Sequence, residues 1–262
     1  MKKMNIWVMI PTYNEAENIG ALIESLLNLN LGLSIVVVDD DSPDGTAQIV
    51  EEWCRKSPQV HLLLRKSARG RGSAGLAGFS FVLKQLAAEP AENKGPAAIM
   101  EMDADFSHHP KYIPALVAAL SEADVALGSR MVHNGEDHRM GLLRKVISFC
   151  ANFYLRQILS LPVQDCTSGF RAFKREVLEQ INPDLCISRG PEVVTEILYR
   201  AHRLGFKIIE VPIVFADRTK GHSTFNFRVA LRGLLMPLLF RMRCNINSSS
   251  HRGPETRGSE KD

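Results

Sequence analysis

Ser34-Ile35-Val36-Val37-Val38-Asp39-Asp40-Asp41-Ser42-Pro43-Asp44-Gly45-Thr46 is the stretch on which the fold turns. Ser34–Val38 is almost all Val and Ile and lacks polar alternation, so it predicts a strand buried on both faces of a parallel sheet. Asp39–Thr46 is a loop that opens a helix running to about Lys56. The same rhythm extends outward. Upstream, Ile6–Ile10 reads as a buried strand stopped by Pro11. Asn14–Asn18 then opens a helix on which Ile19, Leu22, Ile23, Leu26 and Leu27 recur at helical spacing. Downstream, strands are expected at Val60–Leu64, Ala97–Met102 and Val125–Gly128, with helices at Ser73–Ala88 and Pro110–Ser121. This alternation predicts an α/β fold with an open, mostly parallel sheet and flanking helices. Beyond it come a long amphipathic helix over Leu142–Leu161, loop and strand within Asp165–Phe173, helices over Arg175–Ile181 and Pro191–Leu204, and a late strand over Lys207–Phe215.

The chain of 262 residues is long enough to bury a sizeable core, and its 45% hydrophobic and 23% charged residues are those of a globular protein. A net charge of +3 gives no argument for nucleic acid. The excess gathers at the end: Arg228–Asp262 holds seven Lys/Arg against three Asp/Glu. Such a segment suits an anionic surface or serves as a solubilising tail. Five cysteines without a Cys-x-x-Cys pair give neither a zinc site nor a disulfide framework, and they fit a reducing compartment. Met1–Ile10 lacks the small-residue cleavage site of a signal peptide. No stretch reaches the roughly 18–20 apolar residues of a spanning helix. Residues 245–262 are polar and expected to be disordered.

Ligands in open α/β sheets bind at the carboxyl ends of strands. Three such ends carry polar or acidic clusters: Pro11–Glu15, Asp39–Asp44 and Asp103–Asp105. Acidic loops facing one crevice repel each other unless a cation or hydrogen-bond donors lie between them. A hard divalent cation, Mg²⁺ or Mn²⁺, held by Asp103 and Asp105 and shared with substrate phosphates would resolve this, with Ser107 a further ligand. His108 and His109 read as structural. Gly70-Arg71-Gly72-Ser73-Ala74-Gly75 matches Gly-x-Gly-x-x-Gly, but it lies several residues past its strand and no acidic residue closes the next strand at about the 20-residue distance that the fingerprint requires. A dinucleotide site is therefore discounted. Arg65, Lys66, Arg69 and Arg71 make the segment a basic, flexible loop that either meets phosphate or is a solvated connection.

Ile10–Glu15, Val37–Thr46, Met102–His108, Gly128-Ser129-Arg130, Asp165–Arg171, Glu210–Ile213, Asp217-Arg218 and Gly221-His222-Ser223 follow one another in order over nearly the whole chain to residue 225. Together they resemble the family 2 glycosyltransferases, inverting enzymes of GT-A (Rossmann-like) fold, and among them the dolichol/polyprenol-phosphate mannosyltransferases. The resemblance implies that Pro11, Tyr13, Glu15, Val38 and Asp40 hold the nucleoside of a sugar nucleotide, with Ala104 lining that pocket. It implies that Asp103, Asp105 and Ser107 place the metal, that Arg130 meets donor phosphates, and that Arg144, Ser148 and Arg218 receive the acceptor phosphate. Asp105, Arg130 and Asp165 are the expected catalytic residues. Asp165 is either a base, should the acceptor be a hydroxyl, or a loop-ordering carboxylate. Thr224 stands where the family often has Lys, which removes one phosphate contact.

The expected reaction is inverting transfer of mannose from GDP-mannose to a polyprenyl phosphate, needing Mg²⁺ or Mn²⁺. The alternatives are a related enzyme using UDP-glucose or a non-lipid acceptor, and an inactive sugar-nucleotide-binding subunit. The expected organisation is a catalytic domain over 1–227, with a nucleotide-sugar half to about 105 and an acceptor half over 106–227. A basic, apolar segment over 228–244 and the tail follow. Leu142–Leu161 carries a broad apolar arc with Arg144, Lys145 and Arg156 among it, and Val229–Phe240 is apolar and flanked by Arg228, Arg232, Arg241 and Arg243. They suit either a membrane interface or a core or dimer contact. The expected setting is thus the cytoplasmic face of a membrane, bound peripherally, with no nucleic acid and with a membrane-protein partner as an open expectation.

Overall fold

A computed structural model describes residues 4–67, 69–90, 95–139, 141–216 and 232–242. Its strands are β1 (Asn5–Thr12), β2 (Ser34–Asp39), β3 (Val60–Leu64), β4 (Ala97–Glu101), β5 (Val125–Ser129), β6 (Glu136–Asp137), β7 (Arg171–Lys174), β8 (Ile208–Pro212) and β9 (Val214–Phe215). Its helices are α1 (Ala16–Leu27), α2 (Thr46–Lys56), α3 (Arg71–Ala88), α4 (Ile113–Ala119), α5 (Leu142–Leu159), α6 (Arg175–Ile181) and α7 (Val193–Arg203), with α8 over 232–242.

Seven strands form one sheet in the order β3-β2-β1-β4-β7-β5-β8, parallel except for β7. The chain moves outward from β1 to β3 and then returns to place β4 on the other flank of β1. The loops after β1, β2 and β4 therefore diverge around one crevice at the carboxyl edge. Because β7 runs antiparallel, the Asp165–Phe170 loop that feeds it lies at that same edge, beside the end of β4. The alternation along β1 explains the burial. Ile6, Val8 and Ile10 join one apolar layer with α1 and α4, while Trp7 and Met9 join the other with α3, α6 and α7. A third cluster packs α5, α7 and Phe240 of α8 around Leu127. Tyr154 Oη donates to the Leu234 carbonyl (2.6 Å), and Arg241 donates to that of Ile158 (2.7 Å), fastening α8 to α5.

Three elements depart from expectation for identifiable reasons. Pro11 does not stop β1, which continues to Thr12. Odd residues of β1 bond toward β4, as the Met102 N–H to Met9 carbonyl bond shows, and β4 has ended by Pro11, so no ladder bond is lost. The helix expected over Pro110–Ser121 opens as a 3-10 turn, Pro110–Tyr112, before α4 begins at Ile113 with Pro114 in its first turn. The single late strand is two: β8 ends at Pro212, Ile213 turns into the core, and β9 pairs with β6 in a separate ribbon. Cys54, Cys150, Cys166 and Cys186 are free thiols.

Candidate active site

The first two strand ends are tied together by buried acids. Asp39 is wholly buried and accepts from Thr12 Oγ1 (2.9 Å), Ser42 N (2.9 Å) and Ser42 Oγ (2.6 Å). Asp44 accepts from Ala16 N (2.9 Å), Thr46 N (3.0 Å) and Thr46 Oγ1 (2.6 Å), capping α1 from a neighbouring loop. Burial alone would raise the Asp44 carboxyl, but these bonds outweigh it and hold it below the usual range. Asp39 and Asp44 are therefore scaffold. Asp40 is different: buried beside Val38, it takes the Gly70 N–H (2.7 Å) and lies 2.8 Å from Arg65. Burial pushes its carboxyl above the ordinary value despite both partners. On the neighbouring strand end Pro11 is in register with Val38, Tyr13 is half-exposed, and Glu15 accepts from Asn18 Nδ2 (2.9 Å).

The β4 end carries the paired carboxylates. Asp105 is buried, and its Oδ1 accepts from Ser107 N (3.1 Å) and Oγ (2.6 Å). The Ser107 hydroxyl thus acts as a donor that orients Asp105. Ala104 is buried between the two carboxylates. Asp103 Oδ1 accepts from Arg71 Nε (3.1 Å) and Nη2 (2.5 Å), and Arg71 Nη1 reaches Glu101 Oε1 at 3.3 Å. Burial opposes the Arg71 charge, but Asp103 and Glu101 outweigh it and hold the guanidinium above its ordinary range. Glu101 is itself buried in register with Arg171, whose side chain donates to the carbonyls of Ser168, Cys166 and Val194. Burial pulls Arg171 down to about 10.

His108 is structural, as expected. Its Nδ1 accepts the Asp103 N–H (3.0 Å), which leaves the proton on Nε2, and burial lowers its pKa so that the ring is neutral. It stacks on Phe170 (5.1 Å) and meets the edge of Phe215 (5.4 Å). His109 Nδ1 accepts from Lys111 N and caps the turn that follows.

Phe215 joins this end to a second cluster, because the Arg130 guanidinium lies 4.6 Å from its ring centroid. Arg130 is buried beside Asp165 (3.3 Å) and Asp137 (3.9 Å), and it donates to Ser148 Oγ and Thr167 Oγ1, both at 3.2 Å. Asp165 Oδ1 accepts from Thr167 Oγ1 (3.0 Å), and Glu210 fixes the Asp165 N–H at 2.9 Å. Ser148 lies on α5, one turn after exposed Arg144. Past Thr167 an apolar cavity of ≈ 610 Å³ opens between α5, α7 and α8, lined by Val146, Ile147, Cys150, Tyr154, Leu155 and Leu234. Away from that cavity, Leu142, Leu143, Phe149 and Phe153 of α5 and Leu235 of α8 are all more than half exposed. Among the described residues no helix is long and apolar enough to cross a membrane.

The structure therefore brings Asp40, Asp103, Asp105, Arg130, Asp165 and Ser148 to the carboxyl edge of one sheet. Arg218 and Thr224 lie outside the described residues, as do Asp217, Gly221–Ser223 and the tail. The segment read as a flexible loop is where sequence reasoning fell short. Arg65 pairs with Asp40, Arg69 with Asp41 and Arg71 with Asp103, so the repulsion between the acidic loops is met by three arginines. The glycines there serve packing: a Cβ on Gly72 would lie 2.1 Å from the Gly190 carbonyl oxygen. The spacing of basic residues opposite three acidic strand ends was the available signal.

Among the described residues no group of three or more His, Cys, Asp or Glu could hold a metal ion. The donor set at the β4 end is two carboxylates, hard oxygen donors two residues apart. That fits Mg²⁺ or Mn²⁺ bound by one or two carboxylates and completed by substrate phosphate.

Residues 7–181 match the family described as Glycosyl transferase family 2. The chain is 39% identical over 221 residues to the polyprenol monophosphomannose synthase of Mycolicibacterium smegmatis, covering 84% of this chain and 80% of that protein. It is 36% identical over 223 residues to the undecaprenyl-phosphate mannosyltransferase of Micrococcus luteus, covering 85% and 88%. Among solved structures it is similar to glucosyl-3-phosphoglycerate synthase from Mycobacterium tuberculosis in complex with Mn²⁺, uridine diphosphate and glucosyl-3-phosphoglycerate. That match has a TM-score of 0.60 at 22% identity over 92% of this chain and 80% of that one.

Proposed function

Since the chain belongs to the family 2 glycosyltransferases and is a glycosyltransferase of GT-A fold, we propose that it moves mannose from GDP-mannose to a polyprenyl phosphate with inversion at the anomeric carbon. The observation that carries this reading is the 39% identity to a polyprenol monophosphomannose synthase over 84% of the chain. In this reading Pro11, Tyr13, Glu15, Val38 and Asp40 hold the nucleoside, Ala104 lines that pocket, and Asp103 and Asp105 lie toward the diphosphate. A divalent cation, Mg²⁺ or Mn²⁺, held by Asp103 and Asp105 with Ser107 orienting the latter, would stabilise the charge that the leaving nucleoside diphosphate gains.

Arg130 supplies a permanent, forked positive charge where donor and acceptor phosphates meet, and Ser148, Arg144 and Arg218 complete the acceptor's anion site. A phosphate monoester is already largely anionic near neutral pH. One of its oxygens attacks the anomeric carbon as the bond to the diphosphate breaks, so no side chain need first remove a proton. Asp165 then works by holding Arg130 in place. The apolar cavity past Thr167 gives the first isoprene units a dry path away from the phosphate. The outward leucines and phenylalanines of α5 and α8, edged by Arg144, Arg156, Arg232 and Arg241, suit peripheral binding at the cytoplasmic face of a membrane.

The test is calorimetry with GDP, UDP and NAD with and without Mn²⁺, followed by a mannosyl-transfer assay on polyprenyl phosphate. Mn²⁺-dependent GDP binding that Asp105→Ala abolishes, with prenyl-phosphate mannose as product, is expected. A UDP preference, or transfer to a soluble hydroxyl acceptor only, would overturn the donor or the acceptor assignment.

A further inference from the structure

We propose that Arg71 is a positioning residue that sets the cation affinity of Asp103, so that the cation enters with the nucleotide and not ahead of it. This rests on the glycosyltransferase reading of Asp103 and Asp105. Arg71 is the first residue of α3, and its guanidinium is held at both ends. Nε and Nη2 share Asp103 Oδ1, and Nη1 reaches Glu101 Oε1. Behind it lies Gly169, where a Cβ would stand only 2.6 Å from Nη2, so the group rests against bare backbone. Glu101 is buried and faces Arg171 across the β4–β7 ladder. Two fixed positive charges thus already answer the carboxylates of β4.

An arginine cannot withdraw by losing its proton. A divalent cation approaching Asp103 in the free enzyme therefore meets a carboxylate whose charge is already engaged, with a like charge beside it. A nucleoside diphosphate changes the balance by bringing its own negative oxygens, which both the cation and Arg71 can share. Cation and nucleotide consequently strengthen each other's binding, and by reciprocity each does so by the same factor. Arg71 is the origin of much of that factor. Changes at groups that hold a metal ligand from behind shift metal affinity by about 10–100-fold. Removing a competing charge should move it by a similar factor in the favourable direction.

The experiment titrates Mn²⁺ into wild type, Arg71→Met and Arg71→Lys, with and without GDP, reading free Mn²⁺ by electron paramagnetic resonance and thermal unfolding in parallel. Arg71→Met should bind Mn²⁺ alone about tenfold or more tightly than wild type, and its GDP–Mn²⁺ coupling factor should shrink accordingly. Arg71→Lys, which keeps the charge, should stay close to wild type. If Arg71→Met does not fold, Arg71→Gln is held to the same criterion. Mn²⁺ affinity without GDP that is unchanged or weaker in the uncharged variant overturns the proposal alone. Wild type that binds no Mn²⁺ even with GDP overturns the reading of Asp103 and Asp105, and this proposal with it.

Discussion

Replacing Asp165 by Asn separates a carboxylate that holds Arg130 from one that removes a proton. Asp165 is 1% exposed, with Oδ2 3.3 Å from Arg130 Nε, while Asp137 lies at 3.9 Å. At an effective dielectric of 20 these separations correspond to about 5 and about 4 kcal/mol of gross attraction. The Asp165→Asn variant would keep the Thr167 hydrogen bond but forfeit the larger share. Removing one partner of a buried pair typically costs about 3–5 kcal/mol. Asp137 and the Phe215 ring still answer the Arg130 charge, so the loss belongs at the low end, about 3 kcal/mol. For a chain of this size that lowers Tm by roughly 6–12 °C. In the transfer assay a displaced Arg130 should raise KM for the prenyl phosphate about 10–100-fold and weaken GDP binding as well, with kcat reduced far less. A fall in kcat of more than about a thousandfold at unaltered KM would refute this and make Asp165 a base.

Other consequences are open to measurement. Gly72→Ala forces a Cβ to 2.1 Å from the Gly190 carbonyl oxygen, a backbone atom, and should lower stability by about 2 kcal/mol or more in urea denaturation; an unchanged midpoint would mean that α3 can shift freely. Asp44, Asp124 and Asp137 are each held below the usual carboxylate range by hydrogen bonds that outweigh burial. Their contribution to stability is present above the unfolded pKa of about 4 and disappears as pH falls through the lower folded values. An Asp44→Asn variant should show a shallower acid limb in pH-dependent melting, and an identical slope would count against the assignment. Phe149→Glu with Leu235→Glu, both at exposed positions, should weaken liposome flotation by about tenfold or more while sparing Tm and GDP binding. Undiminished flotation would remove the membrane role from α5 and α8.

Much of this molecule was legible because the decisive signals are local. The Val/Ile run of β2 and the acids that end β1, β2 and β4 appear as contiguous residues, and strand ends are where ligands gather. What escaped was non-local. Arg71 and Asp103 meet across 32 residues of sequence, and nothing in Gly70–Gly75 announces that its arginine turns inward. The repulsion between acidic loops was foreseen, whereas its resolution by Arg65, Arg69 and Arg71 needed the return of α3 over the sheet. The antiparallel course of β7 was equally hidden, because strand direction depends on the route of α5 and not on the four residues Arg171–Lys174. The division of the last strand at Pro212 could have been anticipated from the proline itself.

Ser148 and Phe149 are neighbours on α5, about 100° apart around the helix axis. One faces Arg130 and the other faces outward. A helix has no joint between adjacent residues, so on the proposed peripheral binding the depth to which Phe149 and Phe153 would sink into a membrane surface would fix the height at which Ser148 and Arg130 wait. On that proposal the enzyme would select its acceptor by elevation. A phosphate tethered at headgroup level arrives by a two-dimensional search already aligned with the site. The same phosphate on a short, freely diffusing prenol must find it in three dimensions.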